Sequence, residues 1–287
     1  GSTLSSLTIG RDTNTANVTL DSAFTVNGPI NVWGGDILFQ NNLISTLTGA
    51  QIRLAATNNI LSNIANTKLI STNAGNVIFA ADRDGDGGGY ILNPGSWFTG
   101  SGPNSGAVTF DTRAISGGTK SAALSGGGSV FLGGGNAQAT GYSGDGGSNR
   151  ADSIRFDNGL TILTGGGDIQ IKGRTREQTA PNLFGASGFA AYGDLTLDAG
   201  DGKVSIEGIS RNTGAGSFKA GILTTGQVTI RSAFAGADAI TLTGRSESTG
   251  TGWNHGIDLG GGATTSSTAG FQTIVASGVG GGITLDG

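Results

Sequence analysis

Apolar residues in this chain come in short runs interrupted at every second position. Leu7-Thr8-Ile9, Val18-Thr19-Leu20, Ile52-Arg53-Leu54 and Val108-Thr109-Phe110 alternate in this way, Val77-Ile78-Phe79 nearly so, and Gly, Asn and Asp punctuate the runs. A period of two marks a half-buried strand. Helix formers are scarce: Glu occurs at 177, 207 and 247 only, Lys at 68, 120, 172, 203 and 219, and the apolar set is Val, Ile, Leu and Phe. The pattern predicts an all-β chain of short strands.

Self-similarity organises those strands. LTILTGGGDIQIKG (160–173), LTLDAGDGKVSIEG (195–208), VTIRSAFAGADAITLTG (228–244) and TIVASGVGGGITLDG (273–287) each read as a short strand, a tight glycine turn and a second strand closed by Gly173, Gly208, Gly244 or Gly287. A third element follows the first three pairs at 188–193, 221–226 and 256–261, and 154–159 has the same form one unit earlier. Each unit is thus three strands in about 34 residues, lengthened in places by insertions. The strands lack the paired turn signals of a hairpin meander. Stacking each on its equivalent in the next unit buries the apolar side of all of them in one shared interior. That is a single-stranded parallel β-helix with three short strands per coil and loop insertions at the corners, where glycine permits sharp turns. With strands about 4.8 Å apart, eight or nine coils make a rod roughly 40 Å long. Stacked Asn and Thr, as in 54–66, are expected either to form hydrogen-bonded ladders along the rod or to be ordinary turn polarity. Residues 3–80 are less regular. With no break in composition, 3–287 reads as one elongated domain, and Gly1-Ser2 as a cloning scar.

Composition narrows the function. With 36% hydrophobic residues and only 13% charged, the chain has core enough to fold and too little charge for a solvated disordered segment. Proline is rare and glycine keeps no strict third-position period, which excludes collagen. A net charge of −4 offers no basic stripe, so neither nucleic acid nor an anionic membrane is an expected partner. No apolar run reaches 18 residues, so no membrane insertion is expected. Without cysteine there is no disulfide, zinc ribbon or thiol nucleophile. Without methionine the sequence reads as an excerpt of a longer chain, whose targeting signals lie elsewhere.

The repeat resembles a known family, the large exoproteins of bacterial two-partner secretion such as filamentous haemagglutinin. The segment from Gly75-Asn76-Val77-Ile78-Phe79 through Asp82-Arg83-Asp84-Gly85-Asp86-Gly87 to Tyr90-Ile91 looks like a signature of that group, as does Gly-Gly-Gly-Asp-Ile-x-Ile-x-Gly at 165–173. The resemblance covers most of the chain as a repeat pattern. It implies a right-handed β-helix, export through an outer-membrane transporter, and a place on the cell surface or in the extracellular matrix. It also implies a role as an adhesin in cell adhesion or biofilm cohesion. A chain that folds outside the cell gains from coil-by-coil stacking of local contacts.

Several constellations suggest chemistry. Asp82, Asp84 and Asp86 with Gly87 at the sixth position reproduce the first half of a calcium loop, in which several oxygens converge on a hard cation. The twelfth position is Asn93 in place of a bidentate glutamate, and a solvated Asp/Gly turn is the alternative. The insertions near 86–106, 134–152, 174–188, 245–255 and 260–270 are expected to project at corners, where loops carry binding function. Trp97, Phe98, Tyr142 and Trp253 lie in them, and an aromatic ring among Asn, Ser and Gly suits a carbohydrate-binding ledge. The same rings would also serve to cover core edges beneath the loops. Trp33 is expected to pack along the rod. A β-helix polysaccharide lyase or hydrolase would need converging carboxylates. No Asp-Asp pair occurs, and His255 reads as a polar loop residue. Asp111, Asp157 and Glu207, near Arg113, Arg155 and Arg211 in sequence, read better as strand-face ion pairs than as a cleft. The sequence therefore favours a non-enzymatic attachment rod that meets a surface or matrix polysaccharide or a host receptor, with a passive stalk segment as the second reading and an enzyme as the third.

Overall fold

The computed structural model describes residues 4–62, 65–93, 106–144, 152–177, 186–211, 213, 219–249, 254–260 and 272–287. All regular elements among them are strands, and three long parallel sheets take nearly all of these. Sheet A stacks nine: Leu7–Ile9, Ile30–Gly34, Ile52–Ala56, Val77–Ala80, Val130–Gly133, Ile169–Arg174, Val204–Ser210, Ile240–Ser246 and Ile283–Asp286. Sheet B stacks eight: Val18–Leu20, Ile37–Phe39, Ile60–Leu61, Ile91–Asn93, Ile154–Phe156, Phe189–Ala191, Lys219–Thr224 and Asn254–Leu259. Sheet C also stacks eight: Phe24–Val26, Leu43–Thr48, Lys68–Asn73, Val108–Asp111, Leu160–Leu163, Leu195–Asp198, Val228–Ser232 and Gln272–Ala276. The chain visits A, B and C in turn, completing eight coils of a parallel β-helix and beginning a ninth. Nine strands at the usual spacing span about 38 Å.

Register explains why the repeat is legible. Ile52, Val77, Val130, Ile169, Val204 and Ile240 lie one above another in sheet A, all facing inward. A one-residue slip in any strand would turn its whole apolar set outward. The inward columns of the three sheets form one continuous apolar cluster, from Leu20 to Leu242 in the chain. Phenylalanines fill part of this cluster. Phe39, Phe79, Phe110 and Phe156 meet edge to face, with centroids 5.3, 5.1 and 6.5 Å apart in succession. Lys68 takes an inward position in register with Val108; its Nζ donates to the carbonyl of Asn66 at 2.7 Å, and burial pushes its pKa down to about 8.

The corners account for the glycine. Where sheet C turns into sheet A, a Cβ on Gly75, Gly128, Gly167 or Gly202 would lie 1.9–2.2 Å from the carbonyl oxygen of Ala50, Gly75, Gly128 or Gly167 respectively. Successive coils therefore touch backbone to backbone. Buried hydroxyls close this corner from inside: Thr72 and Thr164 donate at 2.5 Å to Gly75 and Gly167, Thr112 donates to Gly128, and Ser45 and Ser232 at 2.7 Å to Gly28 and Gly202. Outside, ladders run along the rod. The side-chain oxygens of Asn76, Ser129 and Asp168 accept from the backbone N–H groups of Ser129, Asp168 and Lys203, one coil further on, at 2.8–2.9 Å. Asn17, Asp36 and Asn59 do the same for Asp36, Asn59 and Tyr90. Of the two expectations for stacked polar residues, ladders are present; most join side chain to backbone, and Asn59 Nδ2 also donates to Asp36 Oδ1 at 2.8 Å.

Three local expectations change. The segment 86–106 is not one insertion, because Ile91–Asn93 is a sheet B strand that divides it. His255 lies inside the strand Asn254–Leu259, in register with Ala220, and not in a preceding loop. The turn between Asp111 and Val130 carries a small antiparallel hairpin, Ile115–Ser116 with Thr119–Lys120, that the repeat did not foretell. Its Lys120 Nζ donates to the carbonyls of Thr72, Asp111 and Arg113, which pins it to the corner.

Candidate binding surface

In five consecutive coils the chain leaves sheet A and makes a long excursion before entering sheet B: 81–90, 134–153, 175–188, 211–218 and 247–253. All five leave from the same corner, one above another, whereas coils two and three turn there in two or three residues. Glycine pairs make the necks of three of them. A Cβ on Gly173, Gly208 or Gly244 would lie 1.9–2.2 Å from the carbonyl oxygen of Gly188, Gly221 or Gly256, so the outgoing and returning backbones touch. The glycines that close the second strand and open the third element of each unit are thus the two sides of one neck.

Ionic and aromatic groups line the foot of this loop row. Tyr142 reaches from its loop over the outer face of sheet A and donates its hydroxyl to Glu207, with the Arg174 guanidinium 4.8 Å above its ring. Burial, and then the Glu207 carboxylate, push the Tyr142 pKa up to about 12. Lys172 lies 3.8 Å from Glu207, Arg211 binds Glu247 at 2.8 Å, and Arg245 lies 3.5 Å from Asp286. Each of these ion pairs joins neighbouring coils. Deeper, Arg155 is almost wholly buried, held by Asp157 at 2.5 Å and Asp152 at 3.4 Å, with the Tyr192 ring 4.7 Å away. Asp152 also accepts from the N–H of Ser187, which ties the 134–153 and 175–188 excursions together at their base.

The aspartate loop opens the row. Ligand oxygens of Asp82, Asp84 and Asp86 lie within 4.8 Å of one another. Asp82 is buried with φ +53°, and both its oxygens accept from Gly87 N–H at 3.0 and 3.1 Å; Asp86 accepts from Gly88 N–H at 2.7 Å. Burial, together with the nearby Asp86 and Asp84 and against the Gly87 bond, pushes the Asp82 pKa up to about 6. The backbone of Asn93 lies in the sheet B strand opposite Phe156. Trp97, Phe98 and Trp253 lie outside the described residues.

Asp111, Asp157 and Glu207 are not brought together. They belong to sheet C, to the end of a sheet B strand and to sheet A, and their cations are Arg113 at 2.8 Å, Arg155 and Lys172. Arg211 pairs with Glu247 instead. Trp33 faces outward on sheet A, with the guanidinium groups of Arg53 and Arg83 5.7 and 5.5 Å from its ring. Arg83 also donates to the carbonyls of Asp12 and Asn14, clasping the 10–16 turn across three coils. Reading the sequence alone missed the shared exit of the loops. The signal for it was present, since the 174–188, 209–221 and 245–256 insertions are each preceded and closed by glycine. No family model matches the chain, and no curated protein or solved structure does so either.

Proposed function

We propose that this chain is a rod segment of a secreted or cell-surface adhesin, presenting the loop row at the A–B corner to a surface polysaccharide or a host receptor in attachment or biofilm cohesion. The observation that carries the reading is the departure of five successive long connections from one corner of the rod. Variable segments that leave a rigid support at one corner, coil after coil, can bind without disturbing the core. The two-partner-secretion pattern supports the same reading and supplies an export route through an outer-membrane transporter.

The mutual pairing of Lys172, Glu207, Arg211 and Glu247 favours a second reading, a passive stalk whose surface charges are satisfied internally. Glycan-array and cell-surface binding by the 287-residue chain separates the two. The attachment reading expects a binding signal that falls at least fivefold in a variant carrying Arg174→Ala and Arg211→Ala with an unchanged melting midpoint. Absence of binding to any glycan or cell surface leaves the stalk. Release of unsaturated or reducing products from acidic polysaccharides would replace both with an enzyme.

A further inference from the structure

We infer that the outward face of sheet C is a second binding surface, a row of threonines that takes an uncharged, extended polysaccharide laid along the rod. It goes beyond the loop corner and shares with the attachment reading only the expectation of a glycan partner. Thr109, Thr161, Thr196, Thr229 and Thr273 occupy one equivalent position in five consecutive coils, each in register with the next. Their neighbours on either side, such as Leu160 and Ile162 or Leu195 and Leu197, are core, so strand parity turns the threonines outward. Five hydroxyls then follow one another at about 4.8 Å over roughly 19 Å.

Strand propensity explains threonine here, but not what its hydroxyl does. At the C–A corner, Thr72, Thr112 and Thr164 bind backbone carbonyls. The five outward hydroxyls bond to none of the described residues, nor to one another. Each can both donate and accept, and carries a methyl group beside it. The row itself bears no charge. The next outward column brings Asp198 and Arg231 side by side, Arg231 exposed and in no ion pair among the described residues. A carboxylate and a guanidinium flanking a neutral hydroxyl row suit the vicinal diols of a sugar chain, whose hydroxyls also recur at a fixed interval. Beside the row Arg113 is paired with Asp111, Arg231 stands next to Asp198, and the chain carries a net −4, so an uncharged polymer fits better than a polyuronate.

Co-sedimentation with microcrystalline cellulose and retardation in a gel containing soluble mixed-linkage β-glucan test the row. The wild-type chain should be depleted and retarded. Thr161→Val, Thr196→Val and Thr229→Val combined keep shape and strand propensity, and should weaken binding at least tenfold without moving the melting midpoint. Thr241→Val with Thr284→Val, outward on sheet A, should leave binding unchanged. Failure of the wild type to bind either polymer, or equal binding by the triple variant, overturns the row. Loss of binding in Arg174→Ala while the triple variant still binds would place the glycan at the loop corner, overturning the row and sparing the attachment reading.

Discussion

Gly167→Ala tests the packing principle of the rod at one atom. The added methyl would lie 2.2 Å from the carbonyl oxygen of Gly128, 2.3 Å from its carbon and 2.6 Å from the nitrogen of Ser129. All three are backbone atoms of the coil below, so no side chain can swing aside. Relief requires the two coils to part at this corner by on the order of 1 Å. That movement stretches the two bonds that join the coils here, Asp168 N–H to Ser129 Oγ (2.9 Å) and Val130 N–H to the Asp168 carbonyl (2.9 Å). At about 1 kcal/mol for each weakened bond, with about 1–3 kcal/mol for overpacking, the variant should lose about 3–5 kcal/mol. For a chain of this size that corresponds to roughly 10 °C in melting midpoint. Gly117→Ala is the comparison. It lies at the hairpin tip with open space around it and φ +60°, so only backbone conformation is penalised, by about 1–2 kcal/mol. Urea unfolding followed by circular dichroism, with both variants at the wild-type m-value, measures the pair. A Gly167→Ala variant within 1 kcal/mol of wild type, or no worse than Gly117→Ala, would refute backbone contact as the reason for glycine at this corner.

Phe79→Ala removes the ring that touches both Phe39 and Phe110, and should cost about 3–5 kcal/mol in the same assay. Asp82 sets a pH dependence of unusual sign. Its folded pKa near 6 stands above the unfolded value, so the native state binds the extra proton between about pH 4 and 6. Stability from this group therefore falls as pH rises through that window, by on the order of 2 kcal/mol, and Asp82→Asn should abolish that slope in melts taken from pH 4 to 7. Because the oxygens of Asp82 and Asp86 already accept from Gly87 and Gly88, we expect the same melting midpoint in millimolar Ca²⁺ as in EDTA at pH 7. A rise of several degrees with calcium would instead assign a cation to the three aspartates.

Much of this architecture is legible in the residues. Alternation in Leu160–Leu163 or Val204–Ser210 is a local property of each strand, written in neighbouring side chains, and it survives into the register of the sheets. The closing glycines 173, 208 and 244 were visible as a period. Their purpose was not, because it depends on Gly188, Gly221 and Gly256, which an insertion separates from them in sequence and the coil brings back into contact. The candidate site divides in the same way. The Asp82–Asp84–Asp86 cluster is contiguous in sequence and could be read there. The pairing of Tyr142 with Glu207, of Arg211 with Glu247 and the row from Thr109 to Thr273 joins residues one or more coils apart. Strand identity and repeat length are decided by side chains within a few residues of each other. Which corner the insertions share, and which outward residues line up, is decided only when every coil settles at a fixed height on the one before it.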